Sequence, residues 1–409
     1  MTKSKHIDTQ LITPPNEPPK PSLKERLRAA VPEAVWVTCL AFLLSLLFSQ
    51  PLSFSAATIL QSKDKGDFNM TDFYCTAADS RPVRALDPDI VIVDIADTDR
   101  DDVADVIRLL SYMNPAVVGL DVTFAEPREN DESLIDAINA CQNVVMAGGV
   151  SRTSDSPERF TLDDTTYFYN ALAPEARLGV VNFPTSRSGK TIRSFRPTFI
   201  TENSDTLESF ATAVTALYRG EKASAMAAES NLRIDFPSRR FTIVPWQEVA
   251  DRPEKIEGHI VLVGAIGEAT DLHPTPIGQE TDGVLIHAYA ASTLLRGEHY
   301  TETGRPFTMT VAFLLSLLLC VLMLTYSSPA RGMWLRVLQI GVLYILIRIG
   351  YYLYVDHRFV IDISYPLLML TFCFFALDIW AGLKHYGKSA AKFIRNKSRQ
   401  TTNLKQQPS

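Results

Sequence analysis

The chain holds 409 residues, with 40 lysines and arginines against 46 aspartates and glutamates, for a formal net charge of −6. That length exceeds one typical domain, and a mean hydropathy near zero is high for a protein with 21% charged residues. The averages exclude an evenly mixed chain and imply segregated apolar and charged stretches, and the mild acidity gives no reason to expect a nucleic-acid partner.

In chain order, the first 20 residues, with PPNEPPKP, hold too little apolar surface to bury a core, and 1–30 reads as a disordered cytoplasmic tail. An apolar run follows at 33–54. About 30 residues precede it, more than the short basic leader of a cleaved signal peptide, so it reads as an uncleaved anchor. Further apolar runs lie at 307–326, 333–355 and 359–381. Each approaches the ~20 residues that a helix needs to cross a hydrocarbon core, so four spans are expected. The basic stretch KPSLKERLR precedes the first run, and the tail 382–409 is basic and free of acids, so both ends are placed in the cytoplasm. Residues 55–305 carry 39 acids against 23 basic residues. An even number of spans puts this acidic segment on the periplasmic or outer face.

Within 55–305, DIVIVDIAD (89–97) and AVVGLDVTF (116–124) read as strands. Between them Val103, Val106, Ile107 and Leu110 have helical spacing, so the three pieces form a parallel crossover unit. Asp99 or Asp101 is suited to cap that helix. Leu134, Ile135 and Ile138 mark another helix before the strand NVVMAGGV. After looser, turn-rich sequence come the helix SFATAVTALYRG, the short strands LRIDFP and RFTIVPW, the strand HIVLVGA, and the helix VLIHAYAASTLLRG leading back to the membrane. The fold class expected is α/β, a mixed, mainly parallel sheet flanked by helices, plus four transmembrane helices.

HIVLVGAIGEATDLHPTPIG (259–278) is a buried strand entering a glycine-rich turn. It lacks the lysine and following hydroxyl of a Walker loop and the spacing of a dinucleotide fingerprint. The plainer reading gives Gly264 and Gly267 backbone roles, either a special conformation or a close approach. The alternative is a ligand crevice, because ligands of parallel sheets bind outside the carboxyl ends of the strands. There the sequence places Asp94 and Asp97, then Asp121 and Glu126, then Glu268 and Asp271. Clustered carboxylates need an offsetting charge, and Arg193 and Arg196 of GKTIRSFRP are the nearest candidates. A hard cation such as calcium or magnesium suits oxygen ligands, but acidic loops are ordinarily solvated, and neither a resident metal nor a cofactor is expected. His287 reads as part of a helix and His273 as part of a turn.

No metalloprotease, hydrolase or activated-nucleophile motif appears, so catalysis is not expected. Cys39, Cys320 and Cys373 lie in apolar runs. Cys75, in the irregular stretch FYCTAADS, and Cys141, at a helix end, are the two cysteines in the exported segment, and whether they bridge stays open. Asn69 lies in a minimal glycosylation sequon. In the membrane, Arg348 and Asp362 fall at matching depth in an antiparallel hairpin closed through VDHRF, and an ion pair between them is expected.

DPDIVIVDIAD, NPAVVGLDVTFAEPREND, GVVNFPT, IEGHIVLVGAIGEATDLHPTPIG and DGVLIHAYAASTLL, with one span upstream and three downstream, resemble the type-two CHASE domain. The resemblance covers about residues 55–381, and the closing motif from VLVGA to GVLIHA is its most specific part. It departs from the family at ADTDRDDVADVI, where a tryptophan-rich stretch is common. Family members commonly continue into a kinase or cyclase, whereas this chain ends about 28 residues after its last span.

The resemblance implies a bacterial inner-membrane receptor that reads an extracytoplasmic ligand or envelope state. It would relay that state to a separate cytoplasmic signalling protein of the kinase or cyclase class, and a homodimer is compatible with it. The competing reading is a membrane scaffold whose exported domain docks envelope proteins.

Overall fold

The computed structural model describes residues 21–59, 70–80, 85–124, 126–129, 131–153, 158–163, 176–184, 191–221, 231–297, 299–326 and 329–404. Asn69 lies outside them. Two compact units emerge. One comprises the chain up to Ser45, Val311–Leu343 and the chain from Leu368. The other comprises Leu46–Thr310 and Tyr344–Leu367.

The chain opens with helix α1 (Leu23–Ile59), longer than the apolar run inside it, and α2 (Met70–Asp79). Cys75 thus lies in a helix rather than in an irregular linker. Thr71, Tyr74, Cys75 and Ala78 are its buried positions, a 3- or 4-residue spacing that a short polar sequence conceals. Then β1 (Ala85–Asp94), α3 (Arg100–Tyr112), β2 (Val117–Leu120), α4 (Asp131–Ala140) and β3 (Val144–Gly148) follow in the expected order. Asp99 caps α3, accepting from the amides of Asp101 and Asp102 at 2.9 Å each, while the Asp102 carboxylate accepts from the Asp99 amide.

The looser stretch supplies β4 (Val150–Arg152), β5 (Arg159–Leu162), β6 (Arg177–Val180), β7 (Ser194–Phe195), β8 (Thr198–Thr201) and β9 (Thr206–Glu208). Helix α5 (Phe210–Arg219) is capped by Ser209 and ended by Gly220. Next come β10 (Leu232–Arg233), β11 (Arg239–Pro245), β12 (Ile260–Gly264), the hairpin β13 (Leu272–Thr275) and β14 (Gly278–Asp282), and α6 (Gly283–Arg296).

Six strands form a wholly parallel sheet in the order β11-β1-β12-β2-β3-β6. β12 separates β1 from β2, so the first strand–helix–strand unit does not join neighbours. IVLVG is buried at all five positions, as a strand covered on both faces must be, and this suits it to the interior of the sheet. Alternation along the strands feeds two cores. Ile90, Ile92, Ile260 and Leu262 pack with α5 and α6, while Val91, Val93, Val261 and Val263 pack with α3 and α4. The result is a helix–sheet–helix sandwich. Cys75 lies in the first core and Cys141 in the second, both as free thiols, so no disulfide joins them. A smaller mixed sheet, β4-β5-β8-β9, buries Phe160 against Phe199.

After α6 the chain forms β15 (Thr301–Glu302), α7 (Arg305–Thr325), α8 (Pro329–His357), β16 (Phe359–Val360) and α9 (Ser364–Leu404). Among the described residues, four stretches are long and apolar enough to cross a membrane: Leu23–Phe48, Pro306–Thr325, Met333–His357 and Ser364–Ala390. Exposed Trp36, Leu43, Leu47, Leu314, Leu318 and Ile340 are the kind of surface that lipid covers. Within the membrane unit, the Gln339 side chain donates to the Leu370 carbonyl, the Cys373 thiol faces the Ser316 carbonyl at 3.9 Å, and Lys384 pairs with Glu33.

Candidate functional site

The carboxyl edge of the parallel sheet is built by turns that use some of the expected acids as internal ties. Asp94, the last residue of β1, accepts from the amides of Ala96 (2.9 Å) and Ile266 (3.0 Å), locking the ends of β1 and β12 together. Gly264 ends β12 where a Cβ would lie 2.8 Å from that of Val284 on α6. Gly267 has φ +81°, and its amide donates to Asp282, the residue before α6. Both glycines therefore have the backbone roles of the plainer reading. Asp97 (φ 61°), Glu126 and Glu268 are exposed. Of these three, Glu268 accepts a hydrogen bond from the Thr270 hydroxyl at 2.9 Å.

Two acids differ. Asp271 accepts from the Gly283 amide at 3.1 Å, at the positive end of α6, and lies 3.3 Å from His273 Nε2. Asp121, just beyond β2, points inward, with its Oδ1 3.9 Å from Nε2 of His287 on α6. His287 is buried, stacks on Phe183 at 4.6 Å and leans on Phe210 at 5.0 Å. Burial first, then the charge of Asp271, pushes the Asp121 carboxyl up to about 7. Burial pushes His287 down to about 3, whereas the hydrogen bond with Asp271 raises His273. The site therefore comprises an outer pair, Asp271–His273, and an inner pair, Asp121–His287. Among the described residues no three His, Cys, Asp or Glu side chains gather as a metal site requires.

The arginines lie elsewhere. Arg193 makes a two-pronged pair with Asp72 of α2, at 2.8 and 2.6 Å, and Arg196 stands over the Phe160 ring at 5.4 Å. Neither offsets the strand-end acids. The expected Arg348–Asp362 pair also does not form among the described residues. Arg348 is exposed on α8, while Asp362 turns back to accept from the Ser364 amide at 3.0 Å, capping α9. Matching depth does not fix azimuth, and the cap takes the carboxylate first.

A second constellation, not expected from sequence, lies where the chain leaves α6. β15 pairs in parallel with β16, the tip between α8 and α9. Thr301 donates to the Arg358 carbonyl at 2.9 Å and Thr303 to that of Val360 at 3.1 Å. Arg358 lies 3.6 Å from buried Asp235, which also accepts from Ser238 and Tyr300. Tyr354 of α8 stacks on Tyr300 at 4.9 Å, meets Tyr74 of α2 at 6.0 Å, and lies under Arg233 at 5.8 Å. The sequence signal was the aromatic run GYYLYV, which reads equally well as an interfacial belt.

This geometry defines a parallel α/β unit with membrane helices on either side of it in sequence. A family model described as CHASE2 domain matches residues 38–327, most of the chain, and the protein belongs to that family. CHASE2 is a family of sensory domains. No curated protein and no solved structure matches the chain.

Proposed function

We propose that this is an integral membrane receptor. Its α/β unit reads an extracytoplasmic ligand or envelope state and passes it through the membrane helices to a separate cytoplasmic protein of the kinase or cyclase class. The observation that carries this reading is the β15–β16 pair. Through it the tip of the α8–α9 hairpin is hydrogen-bonded to the segment that leaves α6, so a shift of α6 bears on two membrane-helix ends together. A scaffold needs no such tie. The same pair requires 301–302 and 359–360 to share one side of the membrane, which two intervening spans satisfy. The basic stretches flanking the first and last spans support cytoplasmic termini and an inner-membrane setting with residues 55–305 outside.

Sidedness is testable in a background free of native cysteines. Exposed Ser151→Cys should react with an impermeant maleimide in intact cells, and Ser409→Cys only after permeabilisation. The reverse pattern overturns the topology. Co-isolation of a kinase or cyclase with the full chain in detergent supports the relay, and recovery of envelope proteins alone favours the scaffold.

A further inference from the structure

His287 is 4% exposed, yet among the described residues neither ring nitrogen makes a hydrogen bond. Asp121, the carboxylate nearest it among the described residues, accepts no hydrogen bond either, and the 3.9 Å between them is beyond hydrogen-bond range. What the gap between carboxylate and imidazole lacks is one shared hydrogen.

The charged groups around the pair favour taking it. Asp271, at the start of β13, adds a second negative charge, and His273 on the same strand is already engaged with it. Asp94 of β1 is tied to Ala96 and Ile266, and Asp282 before α6 to Gly267. Among the described residues, α5 and the segment after β6 bring the rings of Phe210 and Phe183 against the imidazole.

We infer that Asp121 and His287 form a proton-binding site, and that the sensory unit reads the acidity of its surroundings through it. This rests on the sensor reading and names the ligand class. With the proton present, carboxyl and imidazole close into one hydrogen bond, whichever atom carries the hydrogen, drawing the first half of α6 towards the end of β2. Without it, Asp121 and Asp271 are both anionic beside a neutral ring, and that half of α6 loosens. α6 is the helix whose exit segment pairs with the α8–α9 tip.

The raised Asp121 and depressed His287 affinities have opposite consequences for stability. A carboxyl that titrates near 4 unfolded and near 7 folded lowers stability as pH rises from about 4 to about 7. A histidine that titrates near 6.5 unfolded and near 3 folded lowers stability as pH falls from about 6.5 to about 3. The two nearly cancel in the wild type, so variants reveal them.

The test uses the full chain in lipid nanodiscs with chelator present. The unfolding midpoint of Asp121→Asn relative to wild type should climb from pH 5 to about 7 and then level. In wild type, hydrogen exchange of 283–290, corrected for intrinsic rate, should quicken across the same interval, and in Asp121→Asn it should not. A relative midpoint that stays flat from pH 5 to 9 overturns the site. So does a wild-type exchange step that appears only when chelator is left out, because the ligand is then a metal ion. Should Asp121→Asn fail to fold, Asp271→Asn decides: removing the neighbouring charge should move the exchange step to lower pH, and a step that stays or moves to higher pH overturns the site. No signalling partner enters these readouts, so the relay and the proton site can fail separately.

Discussion

The two edges of the parallel sheet each bury an aspartate against α6, and they treat it oppositely. At the amino edge Asp87 has no exposed side-chain surface, yet every demand of its carboxylate is met. Arg296 and Ser292 of α6 each donate at 2.6 Å, and the amides of Asp89 and Ile90 add two more bonds. At the carboxyl edge Asp121, also largely buried, faces a neutral histidine out of bonding range and a second carboxylate. One end of α6 is clamped and the other is poised. Burial alone therefore does not make an acid functional; burial with its hydrogen bonds withheld does.

The largest break in this comparison comes from the clamp. Asp87→Ala leaves the Arg296 charge without its carboxylate, and loss of one partner of a buried pair costs about 3–5 kcal/mol. Chemical unfolding of the detergent-solubilised chain should show it as a marked fall in midpoint, with no new pH dependence near neutrality. A smaller loss comes from Arg193→Ala, which strips Asp72 of a two-pronged partner. Hydrogen bonds to charged groups contribute about 1.5–3 kcal/mol. The midpoint should fall accordingly, while the exchange step assigned to Asp121 stays in place because Arg193 faces α2.

Those two arginine–aspartate pairs mark what was legible in the sequence and what was not. Strand and helix identities followed from apolar spacing: Ile90 to Val93 and Ile260 to Val263 announce strands buried on both faces, and Val103, Val106, Ile107 and Leu110 announce α3. Neighbour order did not follow, because β12 enters the sheet between strands more than a hundred residues earlier, and no local pattern encodes that. At the site the carboxyl edge and its acids were legible from strand ends. Which acid turns inward was not, because side-chain direction beyond β2 depends on where α6 passes. His287 is hidden for the same reason: one polar residue among apolar ones on a helix reveals its partner only once the sheet is assembled. Arg348 and Asp362 teach the converse, since proximity along a hairpin leaves the facing side of each helix undetermined.

Local caps lie lower on the scale. Asp99→Ala should cost about 1 kcal/mol through loss of the carboxylate that accepts from two amides at the start of α3. That helix covers the face of the sheet opposite α6, so the exchange behaviour of 283–290 should be unaffected.

The smallest effect belongs to Asp97, and its sign separates solvated acids from poised ones. Asp97 is exposed and holds a left-handed backbone, φ 61°, in the turn after β1. Glycine adopts that conformation without a Cβ clash but gives the unfolded chain more freedom, two terms of about 1 kcal/mol that oppose each other. Asp97→Gly should therefore change the unfolding midpoint by no more than about 0.5 kcal/mol. An acid that contributed to the poised site would, on removal, also weaken the field on Asp121 and move its transition to lower pH, as Asp271→Asn should. Asp97 is not among the groups whose charge bears on Asp121, so the transition should stay near 7 in Asp97→Gly. A shift in this variant would extend the poised region to the turn after β1 and remove the contrast between the inward-facing Asp121 and the solvated acids around it.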